Sequence, residues 1–238
     1  MKAMLFAAGL GTRLKPFTEK HPKALVEING KTLLERNINY LKSFGICEIV
    51  INIHHFADQI LDYLQKHNYF NCIINISHEK EKLLETGGGL VYAQKFFDRQ
   101  SFLVMNVDIL TNMDLHALIK DHHENQSLVT LAVSDRQSSR KLYFNEDKKL
   151  VGWKNLQTQQ KIFINSKEEE KSIPLAFSGI QVLQPEIFSL ITQEGKFSLI
   201  DTYLDLMRTQ KILGYKHQSY ILDVGKPESI KEAEKHFK

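Results

Sequence analysis

The sequence predicts an α/β architecture, a doubly wound, mixed but mostly parallel sheet with a small antiparallel insertion, and three observations carry that expectation. Short apolar runs rich in β-formers alternate with segments of helical period over the first ~135 residues. Strands such as EIVINI and FLVMN are apolar almost throughout, as in a sheet covered on both faces by helices. The chain's 238 residues, 42% hydrophobic and 25% charged, suffice to bury a substantial core.

Strands are expected at Lys2–Ala7, Glu48–Ile53, Cys72–Ser77, Ser101–Asn106 and Leu128–Ser134. Helices are expected at Thr32–Phe44, Ala57–Gln65, Gly89–Phe97 and Asp114–Glu124. In the first helix Leu33, Leu34, Ile38, Leu41 and Phe44 share a face before Gly45 stops it, and in the second Ile60, Leu61 and Leu64 do the same. Such one-sided helices need a sheet to cover. After Ser134 the pattern changes: KLYFN and KLVGWKN read as an antiparallel pair, and KIFINSKEEEKSIPLAFSGIQVL adds two strands. The charged run Lys167–Lys171 reads as a solvated loop. The first pattern then returns with a helix over Phe197–Thr209, a strand at Tyr220–Asp223 and a last helix after Pro227. One domain over 1–238 is the economical reading, with an insertion at about 135–174.

Composition excludes several classes. A net charge of +3, with no basic stripe or interleaved aromatics, argues against a nucleic-acid binder. No apolar run approaches the ~18 residues of a membrane span. Cys47 and Cys72 make neither a disulfide framework nor a metal-ligand spacing, and the opening MKAMLFAAG lacks a secretory leader, so a cytoplasmic location is expected. The pairs His54–His55 and His122–His123 have no companion cluster and read as ordinary polar residues.

The chemistry gathers in FAAGLGTRLKPFTEKHPKALVEING, Phe6 to Gly30. A glycine-rich loop leaving the carboxyl end of the first strand sits where open α/β sheets bind ligands, and its amides can approach phosphate oxygens closely. The run Gly9–Leu14 lacks the third glycine of a dinucleotide fingerprint and the Gly-Lys-Ser/Thr ending of a P-loop. Taken alone it is equally compatible with a tight strand-to-helix turn. Arg13 adds a bidentate fork for polyphosphate, and Lys23, behind Pro22, adds a point charge. Asp108 and Asp223 each close an expected strand, and two converging carboxylates suit Mg²⁺, which keeps waters and takes further ligands from substrate phosphates.

The segment GLGTRLKPFTEKHPKALVEINGKTLLE resembles the signature of the sugar-1-phosphate nucleotidyltransferases. That resemblance implies transfer of a nucleotidyl group from a nucleoside triphosphate to a sugar 1-phosphate with release of pyrophosphate, in a monomer or small homo-oligomer. It implies that Ala8, Gly9, Gly11 and Thr12 face the nucleotide, Arg13 the leaving pyrophosphate and Lys23 the phosphates at the reacting centre. LETGGG resembles the family's nucleobase segment, so Thr86, Gly87 and Gly88 would meet the base ahead of a helix, and its triple glycine is closest to the N-acetylmuramate-1-phosphate uridylyltransferase branch. Glu79 falls where relatives place a base-contacting side chain, although HEKEK also reads as a run of exposed charges. Asp108 and Asp223 match the family's metal aspartates, with Val107 standing where relatives carry glycine.

On the acceptor side LAFSGIQVL resembles the strand crossing the sugar pocket, implying roles for Ser178 and Gly179 beside Asn106 and Lys154. The Glu-Lys-Pro triplet of relatives is replaced by Gly152-Trp153-Lys154-Asn155, which leaves the sugar open. Trp153 reads equally as packing. Uridylyl transfer to an N-acetylated amino sugar is the favoured activity. Guanylyl transfer to mannose 1-phosphate and cytidylyl transfer to phosphocholine are the enzymatic alternatives, and a catalytically silent nucleotide-binding module is the alternative of another class. A dinucleotide oxidoreductase is disfavoured by Leu14 in place of the last fingerprint glycine.

Overall fold

The computed structural model describes residues 1–238. Its first half runs β1 (Lys2–Phe6), β2 (Glu27–Ile28), β3 (Lys31–Thr32), α1 (Leu33–Ser43), β4 (Glu48–Ile53), α2 (Ala57–Lys66), β5 (Ile73–His78), α3 (Glu85–Tyr92), β6 (Phe102–Asn106), β7 (Ile109–Thr111) and α4 (Leu115–Asn125). There follow β8 (Val129–Ser134), β9 (Arg140–Phe144), β10 (Leu150–Asn155), β11 (Lys161–Phe163), α5 (Ser166–Lys171), β12 (Ile173–Leu183), α6 (Ile187–Leu190), α7 (Leu199–Leu206), β13 (Ile212–Lys216), β14 (Ile221–Asp223) and α8 (Pro227–His236).

The centre of the sheet is parallel, in the order β6, β1, β4, β5. Alternate residues of β1 feed opposite faces, as a period of two requires. Ala3 and Leu5 join α1 (Leu34, Ile38, Leu41), α2 (Ile60, Leu64) and α4 (Leu115, Leu118) in one core. Met4 joins Leu90 of α3 and Leu199, Tyr203 and Leu204 of α7 in the other. This is the doubly wound arrangement expected from the apolar strands. Each fully buried aliphatic side chain stabilises it by about 1.5–3 kcal/mol. Thr32 starts α1 by accepting the Glu35 N–H at 3.0 Å, and Gly45 at φ +75° follows its end.

β12 joins the insertion to this layer. Its last residues pair antiparallel with β6, its first with β9, and β9, β10 and β11 continue outward as an antiparallel meander. β8 pairs antiparallel with β12 and parallel with β13. A register shift between Phe177 and Gln181 makes β12 bulge beside β8.

Several local expectations need correction. Lys167–Lys171 is not a loop but most of α5, because Asn165 caps it by accepting the Glu168 N–H at 2.9 Å and Glu169 pairs with Lys161 at 2.7 Å. The helix expected at Gly89–Phe97 begins four residues earlier, at Glu85, so the triple glycine lies inside α3 rather than ahead of it. Helix propensity argues for the later start, but packing against α7 overrides it. The helix expected over Phe197–Thr209 is confined to Leu199–Leu206. The β2–β3 hairpin, β7 and β13 were not foreseen; Asn29-Gly30, at φ +49° and +73°, is the hairpin's sequence signal.

His122 is fully buried, with Nδ1 3.0 Å from Thr130 Oγ1 and 3.2 Å from Ser127 Oγ. Burial, and secondarily the neighbouring His123, push its pKa down to about 4. The folded state therefore refuses a proton that the unfolded chain accepts below ~6.5, so stability falls as pH drops from there to about 4. Roughly 3 kcal/mol is expected to be lost across that window, and His122→Gln should flatten the corresponding part of a urea-unfolding profile against pH.

Candidate active site

The carboxyl ends of β1, β4 and β6 open into a cleft of about 460 Å³. Its floor is the loop after β1, from Ala8 to Arg13, and the amides of Ala8, Gly9, Leu10 and Gly11 donate to no protein acceptor. They are free for anion oxygens. Gly11 sits at φ +63°, and a β-carbon there would lie 2.9 Å from Thr18 Cγ2 and 3.1 Å from Lys23 Cβ. Only glycine lets the loop fold onto the Lys23 segment. Thr18 Oγ1 locks that fold by donating to Gly11 O at 2.8 Å.

Lys23 lines the cleft, is nearly buried, and makes an ion pair with Asp108 across it. Asp108 lies two residues beyond the end of β6 and is braced from behind. Asn37 of α1, itself buried, donates to Val107 O at 2.8 Å. Val107 has no positive φ, so the backbone here has no need of a glycine at this position. β7 and β14 bring the second carboxylate alongside: Asp223 pairs in register with Ile109, and Val224 N donates to Asp108 O at 2.8 Å. A β-carbon on Gly225 would lie 2.7 Å from Asp223 Oδ1 and 3.3 Å from Arg13 Nη2, which puts the guanidinium at the same place. The two cations and two carboxylates thus meet at one end of the sheet.

Burial, and then the charge of Asp108, raise the Asp223 pKa, while Lys23, Arg13 and Arg136 pull it back. Asp223 Oδ1 is buried without a hydrogen-bond partner. An orphaned carboxylate oxygen beside a second carboxylate is a donor set that fits a hard divalent cation. No third His, Cys, Asp or Glu joins the pair, so remaining ligands would come from substrate and water.

Of the residues expected to touch nucleotide, Thr86 lines the cleft, together with Ala8, Gly9, Gly11 and Thr12. Gly87 and Gly88 do not. β-Carbons on them would lie 2.2 Å from the Phe197 ring and 2.1 Å from Gly195 O, so these glycines serve the contact between α3 and the segment leading into α7. Thr86 Oγ1 accepts the Leu199 N–H at 2.9 Å and Gly87 N donates to Phe197 O at 2.9 Å, fastening the same seam. Glu79 is not an exposed charge: it is 2% exposed, accepts Asn52 Nδ2 at 2.8 Å and Leu84 N at 2.7 Å, and braces the loop from behind the cleft wall. On the acceptor side Asn106 lines the cleft, whereas Ser178 is fully buried with its hydroxyl 2.9 Å from His217 Nε2. Gly179, at φ +76°, backs onto Ile109 and Asn106, and Lys154 lies out on β10; neither lines the cleft. Trp153 packs against the second core. Asn52, Leu83, Glu85, Ser198 and Gly225 line the cleft without having been foreseen. Glu85 falls inside the LETGGG run, and Asn52 is a polar residue in the interior of an apolar strand.

Comparison with known proteins places this arrangement. The model of the nucleotidyl transferase family matches residues 2–238. An N-acetylmuramate alpha-1-phosphate uridylyltransferase of Neisseria meningitidis serogroup B is 32% identical over 98% of this chain and 97% of its own. A D-glycero-alpha-D-manno-heptose 1-phosphate guanylyltransferase of Campylobacter jejuni is 29% identical, covering 96% of each chain. The solved structure of HddC from Yersinia pseudotuberculosis complexed with GMP-PN superposes with a TM-score of 0.79 at 25% identity, covering 100% of this chain and 99% of that one. No helix is long and apolar enough to cross a membrane.

Proposed function

The chain belongs to the nucleotidyl transferase family and is a sugar-1-phosphate nucleotidyltransferase; from that premise we propose that it moves a uridylyl group from UTP to an N-acetylated amino-sugar 1-phosphate such as N-acetylmuramate 1-phosphate. The observation that carries the reaction is that Arg13, Lys23 and Asp108 line a cleft floored by unpaired amides, with Asp223 beside Asp108 and Arg13. Support for the choice of base and sugar comes from the full-length similarity to N-acetylmuramate alpha-1-phosphate uridylyltransferases at 32% and 28% identity.

A phosphate oxygen of the acceptor attacks the α-phosphorus of the triphosphate, the bond to the bridging oxygen breaks, and pyrophosphate leaves. The nucleophile is already an anion, so the protein's work is alignment and charge neutralisation. Free amides of Ala8–Gly11 take phosphate oxygens, Arg13 takes charge growing on the leaving pyrophosphate, and Lys23 holds the α-phosphate while anchored by Asp108. Asp108 and Asp223 would hold Mg²⁺, which when bound supplies Lewis-acid neutralisation of the crowded phosphates. Asn106, which lines the cleft, would meet the acceptor.

The test is a matrix of four nucleoside triphosphates against a panel of sugar 1-phosphates with Mg²⁺, scored by product mass. UDP-N-acetylmuramate as the fastest-formed product is expected. The heptose guanylyltransferase relative and the guanine-nucleotide complex of HddC favour a second reading, and a GDP-sugar as the main product would establish that one instead. Absence of any nucleotide sugar would overturn both.

A further inference from the structure

Resting on the transferase reading above, we propose that Arg136, at the end of the sheet where the cleft opens, is a receptor for an oxyanion of the acceptor. Arg136 lies just after β8 and reaches across to the bulge of β12, where Nη2 donates to Phe177 O at 2.7 Å. The same bulge carries Gly179, two residues along β12 from this anchor, against Asn106, and Asn106 lines the cleft.

The guanidinium is held but not satisfied. Nε is buried with no acceptor, and Nη1 has only a 3.5 Å contact with Gln137 O. No carboxylate lies within ion-pair distance of it. Buried N–H groups in native proteins nearly always find acceptors, and a planar fork with open donors is suited to phosphate or carboxylate. The backbone is fixed too, since Lys141 Nζ donates to Arg136 O at 2.7 Å. Lys154 is the register partner of Lys141 on β10, so both ammonium stems rise from one face of the meander. His217, 7% exposed, has Nδ1 without a partner. Strand register puts Arg136 at the same end of the sheet as the cleft: Ile180 of β12 pairs with Met105 near the end of β6, and Phe177, beyond it, pairs with Val133 near the end of β8 that Arg136 follows.

A sugar 1-phosphate always offers a phosphate, and an acidic amino sugar offers a carboxylate as well; the experiment separates them. Km and kcat of wild type, Arg136→Gln and Arg136→Lys are measured with N-acetylmuramate 1-phosphate and with N-acetylglucosamine 1-phosphate as acceptors. The glutamine variant should raise acceptor Km about 10- to 100-fold while the triphosphate Km stays within about twofold and the melting temperature is unchanged. The lysine variant, with charge but no fork, should recover part of the loss. A rise for both acceptors assigns Arg136 to the phosphate, and a rise confined to the first assigns it to the carboxylate. Unchanged acceptor Km in a folded, active variant overturns the inference alone. If the glutamine variant does not fold, an unchanged acceptor Km in the lysine variant overturns it. Wild type inactive toward every sugar 1-phosphate would fail the transferase reading instead.

Discussion

Asp108→Asn is expected to lower kcat for pyrophosphate release by about 100- to 1,000-fold while nucleotide affinity is kept. The asparagine has the same shape, and the brace from Asn37 to Val107 O is a backbone contact that the substitution leaves in place. What disappears is the negative charge that holds the Lys23 ammonium and, with Asp223, forms the pair suited to a divalent cation. Lys23 then keeps its positive charge near the phosphates without its counter-ion, which favours binding of the triphosphate but not its alignment. Nucleotide affinity by calorimetry and initial rates on one preparation separate the two effects. A rate near that of wild type would remove Asp108 from the chemistry.

Gly88→Ala is the largest expected effect on stability. Its new β-carbon would lie 2.1 Å from Gly195 O and 2.9 Å from Leu84 Cβ, and neither the carbonyl nor the main chain of α3 can yield without moving the seam with α7. A loss of about 3 kcal/mol is expected, a fall of roughly 6–12 °C in melting temperature for a chain of this size. Nucleotide binding should weaken in parallel, because Thr86 and Ser198 line the cleft from that seam. A variant melting within about 2 °C of wild type would show that α3 and α7 separate more easily than their contacts imply.

The layered fold was legible because apolar periodicity is set by burial. EIVINI and FLVMN are buried on both faces by helices from two cores, and one-sided helices such as α1 put Leu34, Ile38 and Leu41 where their spacing says. The cleft floor was legible as well, since Gly11 and Lys23 lie close in the chain and meet around Thr18. Less readable were features decided by distant partners. Gly87 and Gly88 look like a ligand loop in sequence, but only the approach of Phe197 and Gly195 shows what their missing side chains make room for. Glu79 looked exposed among charges because Asn52 and the Leu84 amide, its partners, lie elsewhere in the chain. Ser178 was placed near the acceptor by its strand, yet β12 turns its hydroxyl inward to His217. Arg136 gave no signal at all, because its surroundings depend on the bulge in β12.

The central claim is that two cations and a carboxylate-held divalent ion neutralise reacting polyanions at one end of the sheet. The direct measurement is the initial rate of pyrophosphate release, with triphosphate and sugar 1-phosphate saturating, as free Mg²⁺ is titrated in wild type and in Asp223→Asn. The account predicts no release in excess chelator, saturation in wild type, and a midpoint shifted at least about tenfold higher in the variant. Equal midpoints in the two proteins, or full rate in chelator, would contradict it.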